Sequence, residues 1–274
     1  MSGSYYNSLL ACIPEEYIDA LRKAVNKIYD EDIDESWVPV FQKYEDELMV
    51  ALYHLRMFAI KHKGSSIYPI KSEIFSVFKY VKFENVKVII MGQDPYHLTD
   101  SEGKPFACGI AFSTHKGQQV PHSLKNIFAV ITKQYSTPMN MRVLDPPDGD
   151  IRGWCEQGVL LMNTSLTVME KVPGSMMGGV NDVWTSFMGC IFNHIAANNK
   201  HVVVMAWGRP AQDFVQTQVI GNTKGVKSLY KLTHAHPSRL ENFIYCDHFT
   251  VCNEYLKNNK IEEIDWYRTH LKEE

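Results

Sequence analysis

The chain has 274 residues, 45% of them hydrophobic and 22% charged, with a formal net charge of −3. This length and composition allow a substantial core in one domain or at most two, and they exclude wholesale disorder. There is no global basic signature, so any contact with nucleic acid must come from a local basic or polar face.

Six cysteines (Cys12, Cys108, Cys155, Cys190, Cys246 and Cys252) are scattered without a C-x-x-C pair or zinc-ribbon spacing. They read as buried free thiols in a reducing compartment. No apolar run reaches membrane-spanning length, and residues 1–7 carry neither a basic n-region nor an Arg-rich transit pattern. A soluble, intracellular protein is therefore expected.

In chain order, the first ~85 residues read as mostly helical. Ile18, Leu21, Val25 and Ile28 share one helical face, and Leu48, Leu52, Leu55 and Phe58 form a second apolar stripe. Both stripes are read as core contacts. After Tyr80 the texture changes to short apolar runs at residues 86–91, 159–162, 202–206 and 229–232, each ending in a polar cluster. Their length and β-branched content suit buried strands, and the long intervals suit crossover helices. The expected fold is α/β, a three-layer α/β/α arrangement around a central four-stranded, mainly parallel sheet.

Ligands of such sheets bind beyond the carboxyl ends of the strands, so the residues after each run are where chemistry is sought. The first run leads into Gly92-Gln93-Asp94-Pro95-Tyr96-His97, the second into Asn163, and the third into Trp207-Gly208. The fourth leads into His234-Ala235-His236-Pro237-Ser238-Arg239-Leu240. Taken alone, each cluster is ambiguous: a Gly-x-Asp-Pro turn, a strand-end Asn, or a His-x-His pair with metal-site potential. An acid, a histidine and an amide converging on one rim are much more specific.

Four ordered motifs, residues 92–97, Ala111-Phe112-Ser113, 158–163 and His236-Pro-Ser-x-Leu240, resemble the ung-type uracil-DNA glycosylase family in order and spacing. The resemblance covers roughly residues 65 to 267 and is loose before residue 60. It implies a helical extension over residues 1–60 packed on a catalytic domain over 61–274, a single domain overall. It also implies a monomer that acts on uracil-containing DNA, single- or double-stranded, with no cofactor and no metal. Inhibitor or replication-protein partners are not specified by the sequence.

The resemblance assigns Asp94 as the catalytic carboxylate, stabilising an oxocarbenium-like state and orienting water. It assigns His236 as the donor to uracil O2, where negative charge develops as the base departs. Asn163 would read O4 and N3–H, Tyr96 would exclude the thymine methyl, Phe112 would stack on the flipped base, and Gln93 would line the site. Leu240 would fill the vacated base stack, while Ser123, Gly208, Pro237, Ser238 and Arg239 would contact DNA. His234 is read as structural.

The sequence departs from the family pattern in several places. Leu98 follows His97 where Gly is common, the stretch from Leu98 to Phe106 is longer than usual, and Cys108 replaces a frequent His. Residues 175–184 lack the usual His-rich form, and Arg209 replaces a frequent Ser. Arg239 and Glu241 stand where Pro and Ser are common. Glu241 would repel a phosphate and Arg239 would restore attraction, so salt-sensitive binding is expected. Two rival readings are an inactive DNA-binding or processivity relative and a metal-dependent hydrolase using Asp94, His97, His234 and His236.

Overall fold

The computed structural model describes Leu10, Ala11 and residues 13–221 and 229–272. Cys12 and the N-terminal residues 1–9 lie outside the described residues.

The N-terminal third is helical. Helix α1 (Glu15–Lys27) opens on Pro14, with Glu15 and Glu16 in its first turn and Lys27 in its last. Those charges oppose the helix dipole at both ends. It buries Leu21 and Val25 against α3 (Glu45–Lys61), with α2 (Val38–Lys43) between them in sequence. Both expected stripes face inward, Leu48 and Phe58 fully and Leu52 and Leu55 partly. Trp37 and Phe41 are completely buried, and they belong to the same continuous core as the sheet strands.

The central sheet runs in the order β3-β2-β5-β6, formed by β2 (Val88–Gly92), β3 (Val159–Asn163), β5 (Val202–Trp207) and β6 (Leu229–His234). Every pairing in it is parallel. A separate antiparallel ribbon pairs β1 (Ile67–Tyr68) with β4 (Val168–Met169), a feature too short to leave a sequence signal. Every residue of β2, β3 and β5 is buried, as expected of parallel strands covered on both faces. The fourth run departs from expectation: Tyr230, Lys231 and Thr233 are exposed on the edge strand β6, whereas β3, at the opposite edge, is covered by the short helices at Val77–Tyr80 and Arg152–Cys155.

Besides the short helices α4 (Val77–Tyr80) and α6 (Arg152–Cys155), two helical groups flank the sheet. Helix α3 packs with α7 (Thr185–Asn198), which in turn meets α8 (Arg209–Gly221). On the other side α5 (His122–Tyr135) gathers α9 (Leu240–Phe243) and α10 (His248–Asn258). Register puts the strand ends side by side: Gly92 pairs with Asn163, Met91 with Ala206, and Trp207 with His234. The polar clusters that follow must therefore share one rim.

Candidate active site

Gly92 closes β2 and is required there by its neighbour. A Cβ at this position would run into the side-chain oxygen of Asn163, so its absence is what lets that buried amide sit beside the strand end. The chain then turns through residues 93–97. The Gln93 carbonyl accepts from Ser165 N–H (3.0 Å) and from the Thr164 hydroxyl (2.8 Å), and the His97 carbonyl accepts from Lys171 N–H at 2.8 Å. These bonds tie the acidic turn to the segment after β3.

A pocket of about 460 Å³ opens on this rim. Gln93, Asp94, Tyr96 and His97 line it from the β2 end, Asn163 from β3, and His236 and Ser238 from beyond β6. Phe112 and Ser123 also line it. Asp94 Oδ2 accepts from Gly174 N–H at 2.6 Å. Burial nevertheless raises the Asp94 pKa above the usual 3.8, with that hydrogen bond and the nearby His97 opposing the shift. The Tyr96 hydroxyl donates to the Phe112 carbonyl at 3.0 Å, and burial lifts its pKa far above the ordinary tyrosine value. Phe112 adopts a left-handed φ of 64° and packs edge-on against Trp207, with centroids 5.5 Å apart.

His236 is shaped by its own loop. Ser238 N–H donates to His236 Nδ1 at 3.1 Å, and the Ser238 hydroxyl lies 2.9 Å from the same nitrogen. A nitrogen that accepts from a backbone N–H carries no proton, so the ring proton resides on Nε2. Burial lowers the His236 pKa below 6.5, which keeps the ring a neutral donor near neutral pH. Gly208 (φ 84°) lies under the ring; a Cβ there would stand 2.9 Å from His236 Cβ.

The other expected residues flank the pocket without lining it. Pro237 is buried, Arg239 is exposed, and Leu240 is half-buried at the start of α9. Glu241 is exposed beside them. Arg209 is engaged along its own helix, with Nε 3.0 Å from Asp213 Oδ1. His234 is absent from the pocket wall and faces Phe243 and His248 instead. Asp94, His97, His234 and His236 therefore do not converge as the metal-hydrolase reading requires. Among the described residues, no group of three or more His, Cys, Asp or Glu side chains could hold a metal ion.

Sequence reasoning passed over two contributors. Gly174 orients Asp94 through its backbone, and Pro173 lines the pocket. The Pro-Gly dipeptide marks a turn, but nothing in it announces which side chain the turn will meet. Cys108, noted only as a departure, also lines the pocket, and burial pushes its thiol up to about 12.

Fold and site together define an α/β protein with a pocket for a flat, hydrogen-bonding ring, bounded by a carboxylate, an amide, aromatic walls and a neutral imidazole. The chain belongs to the uracil DNA glycosylase superfamily, whose sequence profile matches residues 78–257. It is 36% identical over 209 residues to a uracil-DNA glycosylase of Francisella tularensis, covering 74% of this chain and 86% of the relative. It is 37% identical over 209 residues to one of Amoebophilus asiaticus, covering 75% and 86%. Among solved structures, mimivirus uracil-DNA glycosylase shares the fold with a TM-score of 0.75 at 24% identity, over 91% of this chain and 92% of that one. A mimivirus UNG variant in complex with UGI gives 0.72 at 25% identity, over 84% and 87%.

Proposed function

We propose that this protein is a monofunctional uracil-DNA glycosylase, releasing free uracil and leaving an abasic site at the start of base excision repair. The observation that carries the reading is that Asp94, from beyond β2, and His236, from beyond β6, line one pocket together with Asn163.

In this mechanism the uracil is flipped out of the DNA and enters the pocket, at a cost of a few kcal/mol for unstacking. Leu240 fills the vacated stack and offsets part of that cost. Phe112 stacks on the base, and Asn163 pairs with O4 and N3–H. Cytosine would present a donor where O4 is expected and leave the amide unsatisfied. Tyr96 occupies the space a C5-methyl needs, and Gln93 lines the site. As the C1′–N1 bond breaks, the Asp94 carboxylate stabilises positive charge on the sugar and orients the attacking water. The His236 Nε2–H stabilises negative charge at O2. A neutral donor suits this task, because it lowers the barrier without having to surrender a proton.

DNA contact is assigned to Ser123 near the N-terminus of α5, and to Gly208, Pro237, Ser238 and Arg239. Neutral groups and helix N-termini grip phosphates without requiring a basic protein, consistent with the net charge of −3. Residues 1–60 are read as a helical extension packed on the catalytic domain at 61–274, within a single unit that acts as a monomer.

The test is uracil release from uracil-containing DNA in EDTA, comparing the parent with Asp94→Asn and His236→Ala. The expected result is release by the parent and a loss of at least ~10²-fold in each variant. Tight DNA binding by a parent that releases nothing would make the protein an inactive binder instead.

A further inference from the structure

Residues 98–106 form a hairpin closed by a bridge between Thr99 and Pro105 and by Phe106 N–H donating to the Leu98 carbonyl at 3.1 Å. Its two stems emerge from His97 and Ala107, both of which line the pocket. Tyr96 is held at several points, and its ring packs on the buried cluster of Tyr68, Ala107 and Val168. Its hydroxyl is held by the Phe112 carbonyl, and its ring packs edge-on against Phe106, with centroids 6.5 Å apart at 74°. The Phe106 contact belongs to the hairpin.

The hairpin is in turn held from outside. Asp100 Oδ1 accepts from the N–H groups of Glu102 (3.0 Å) and Lys104 (2.9 Å), while its Oδ2 accepts from Gln118 Nε2 at 2.7 Å. The same Gln118 amide also reaches the Pro105 carbonyl at 3.3 Å, immediately before Phe106. Gln118 is 6% exposed. Its Oε1 accepts from His115 N–H (3.2 Å) and from His115 Nδ1 (3.0 Å), and His115 Nε2 lies 2.8 Å from Glu73 Oε1. Both imidazole nitrogens thus face acceptors, the arrangement of a charged ring. The hydrogen bond to Glu73 raises the His115 pKa, in agreement. Flipping the Gln118 amide would set its NH2 against two donors and its oxygen against a carboxylate, so its orientation is locked.

We infer that Gln118, acting through the 98–106 hairpin, is a positioning residue that holds Tyr96 against substituents at C5 of the pyrimidine. The inference rests on the glycosylase reading above. An apolar side chain at 118 leaves Asp100, the Pro105 carbonyl and His115 without their shared partner. The hairpin then loosens, and the Tyr96 ring loses its edge-on support from Phe106, keeping only its packing on Tyr68, Ala107 and Val168. A methyl group in a packed pocket is typically worth roughly 10–200-fold in discrimination, so a slackened wall has a measurable margin to lose.

The experiment measures kcat/KM for uracil and for thymine opposite the same partner base, in the parent, Gln118→Leu, Asp100→Ala and Tyr96→Ala. Tyr96→Ala, with no ring at all, sets the ceiling for thymine release. The expected result is a fall of at least about tenfold in the uracil-to-thymine ratio of both brace variants, with uracil kcat/KM kept within about threefold. A purely structural role would lower both substrates together. A ratio equal to the parent's, including thymine release that stays below detection, overturns the inference. If Gln118→Leu fails to fold, Asp100→Ala decides, since that residue is only half-buried on the hairpin. Loss of uracil release by the parent itself would overturn the underlying functional reading, a result distinguishable from an active parent with an unmoved ratio.

Discussion

Gly174 N–H meets Asp94 Oδ2 at 2.6 Å, across 80 positions of sequence, and this contact orients the carboxylate assigned to the chemistry. Gly174 holds a φ of 71°, and an added Cβ would meet nothing closer than Gln93 Nε2 at 3.8 Å. Gly174→Ala therefore fits sterically but strains the backbone by roughly 1–2 kcal/mol, which the turn relieves by rotating its N–H. The expected outcome is a loss of about tenfold in kcat with little change in KM. Steady-state kinetics on uracil-containing DNA check it; a change confined to KM would count against an orienting role.

In the proposed mechanism, with Asp94 ionised and His236 neutral, the pH dependence follows from two opposite shifts. Asp94 must be ionised, and burial raises its pKa above 3.8, so activity falls as pH drops through that raised value. His236 must be neutral, and burial lowers its pKa below 6.5, so it gains charge only in acid. Both limbs lie on the acid side, and kcat/KM should be flat through neutral pH. His236→Gln, which keeps a neutral N–H donor, should retain more activity than His236→Ala. A profile that declines as pH rises through 6.5 would mean that the cationic imidazole is the active form.

Asn126, on the same helix as Ser123, is 4% exposed and donates to the Pro237 carbonyl at 2.7 Å. The helix assigned to one phosphate contact thereby holds the loop that carries His236. Asn126→Leu leaves that carbonyl buried without a donor, a penalty of roughly 1–3 kcal/mol. The loop is expected to shift, lowering kcat/KM by about tenfold or more. If coupling is the cause, Asn126→Leu and Ser238→Ala should combine non-additively in a double-mutant cycle.

Arg239 and Glu241 are both exposed beside Leu240. If Arg239 offsets the repulsion between Glu241 and a phosphate, Arg239→Ala should weaken DNA binding. It should also flatten the dependence of log affinity on log salt by about one unit of slope. Binding isotherms at several salt concentrations measure this, and an unchanged slope would remove Arg239 from the interface.

The sheet and most of the pocket were legible because β2, β3 and β5 are short apolar runs that end at chemically distinctive residues. Parallel register then brings Asp94, Asn163 and Gly208 to one rim without further information. What stayed hidden depends on backbone atoms or on distant partners. Gly174 contributes only an N–H, and the ribbon of β1 and β4 is two residues per strand. Gln118 carries no motif, and its importance lies in contacts with Asp100, His115 and Pro105. The tautomer of His236 was equally invisible, since it is set by the N–H of Ser238. The fourth run resembles the core runs through Leu229 and Leu232, whereas burial depends on what covers a strand: β3 and β6 are both edges, and only β3 is buried throughout.

The exposed strand β6 has a bearing on how the protein behaves in a crowded solution. An edge strand offers unpaired amides and carbonyls on which another chain can build. Here the open side of β6 displays the exposed Lys231, while Tyr230 lies flat on Tyr255 of α10 at 4.4 Å and 4°. A second strand added at this margin would have to approach the lysine ammonium and partly desolvate it. Among the described residues, this edge of the sheet thus carries a charge of the kind that disfavours strand addition.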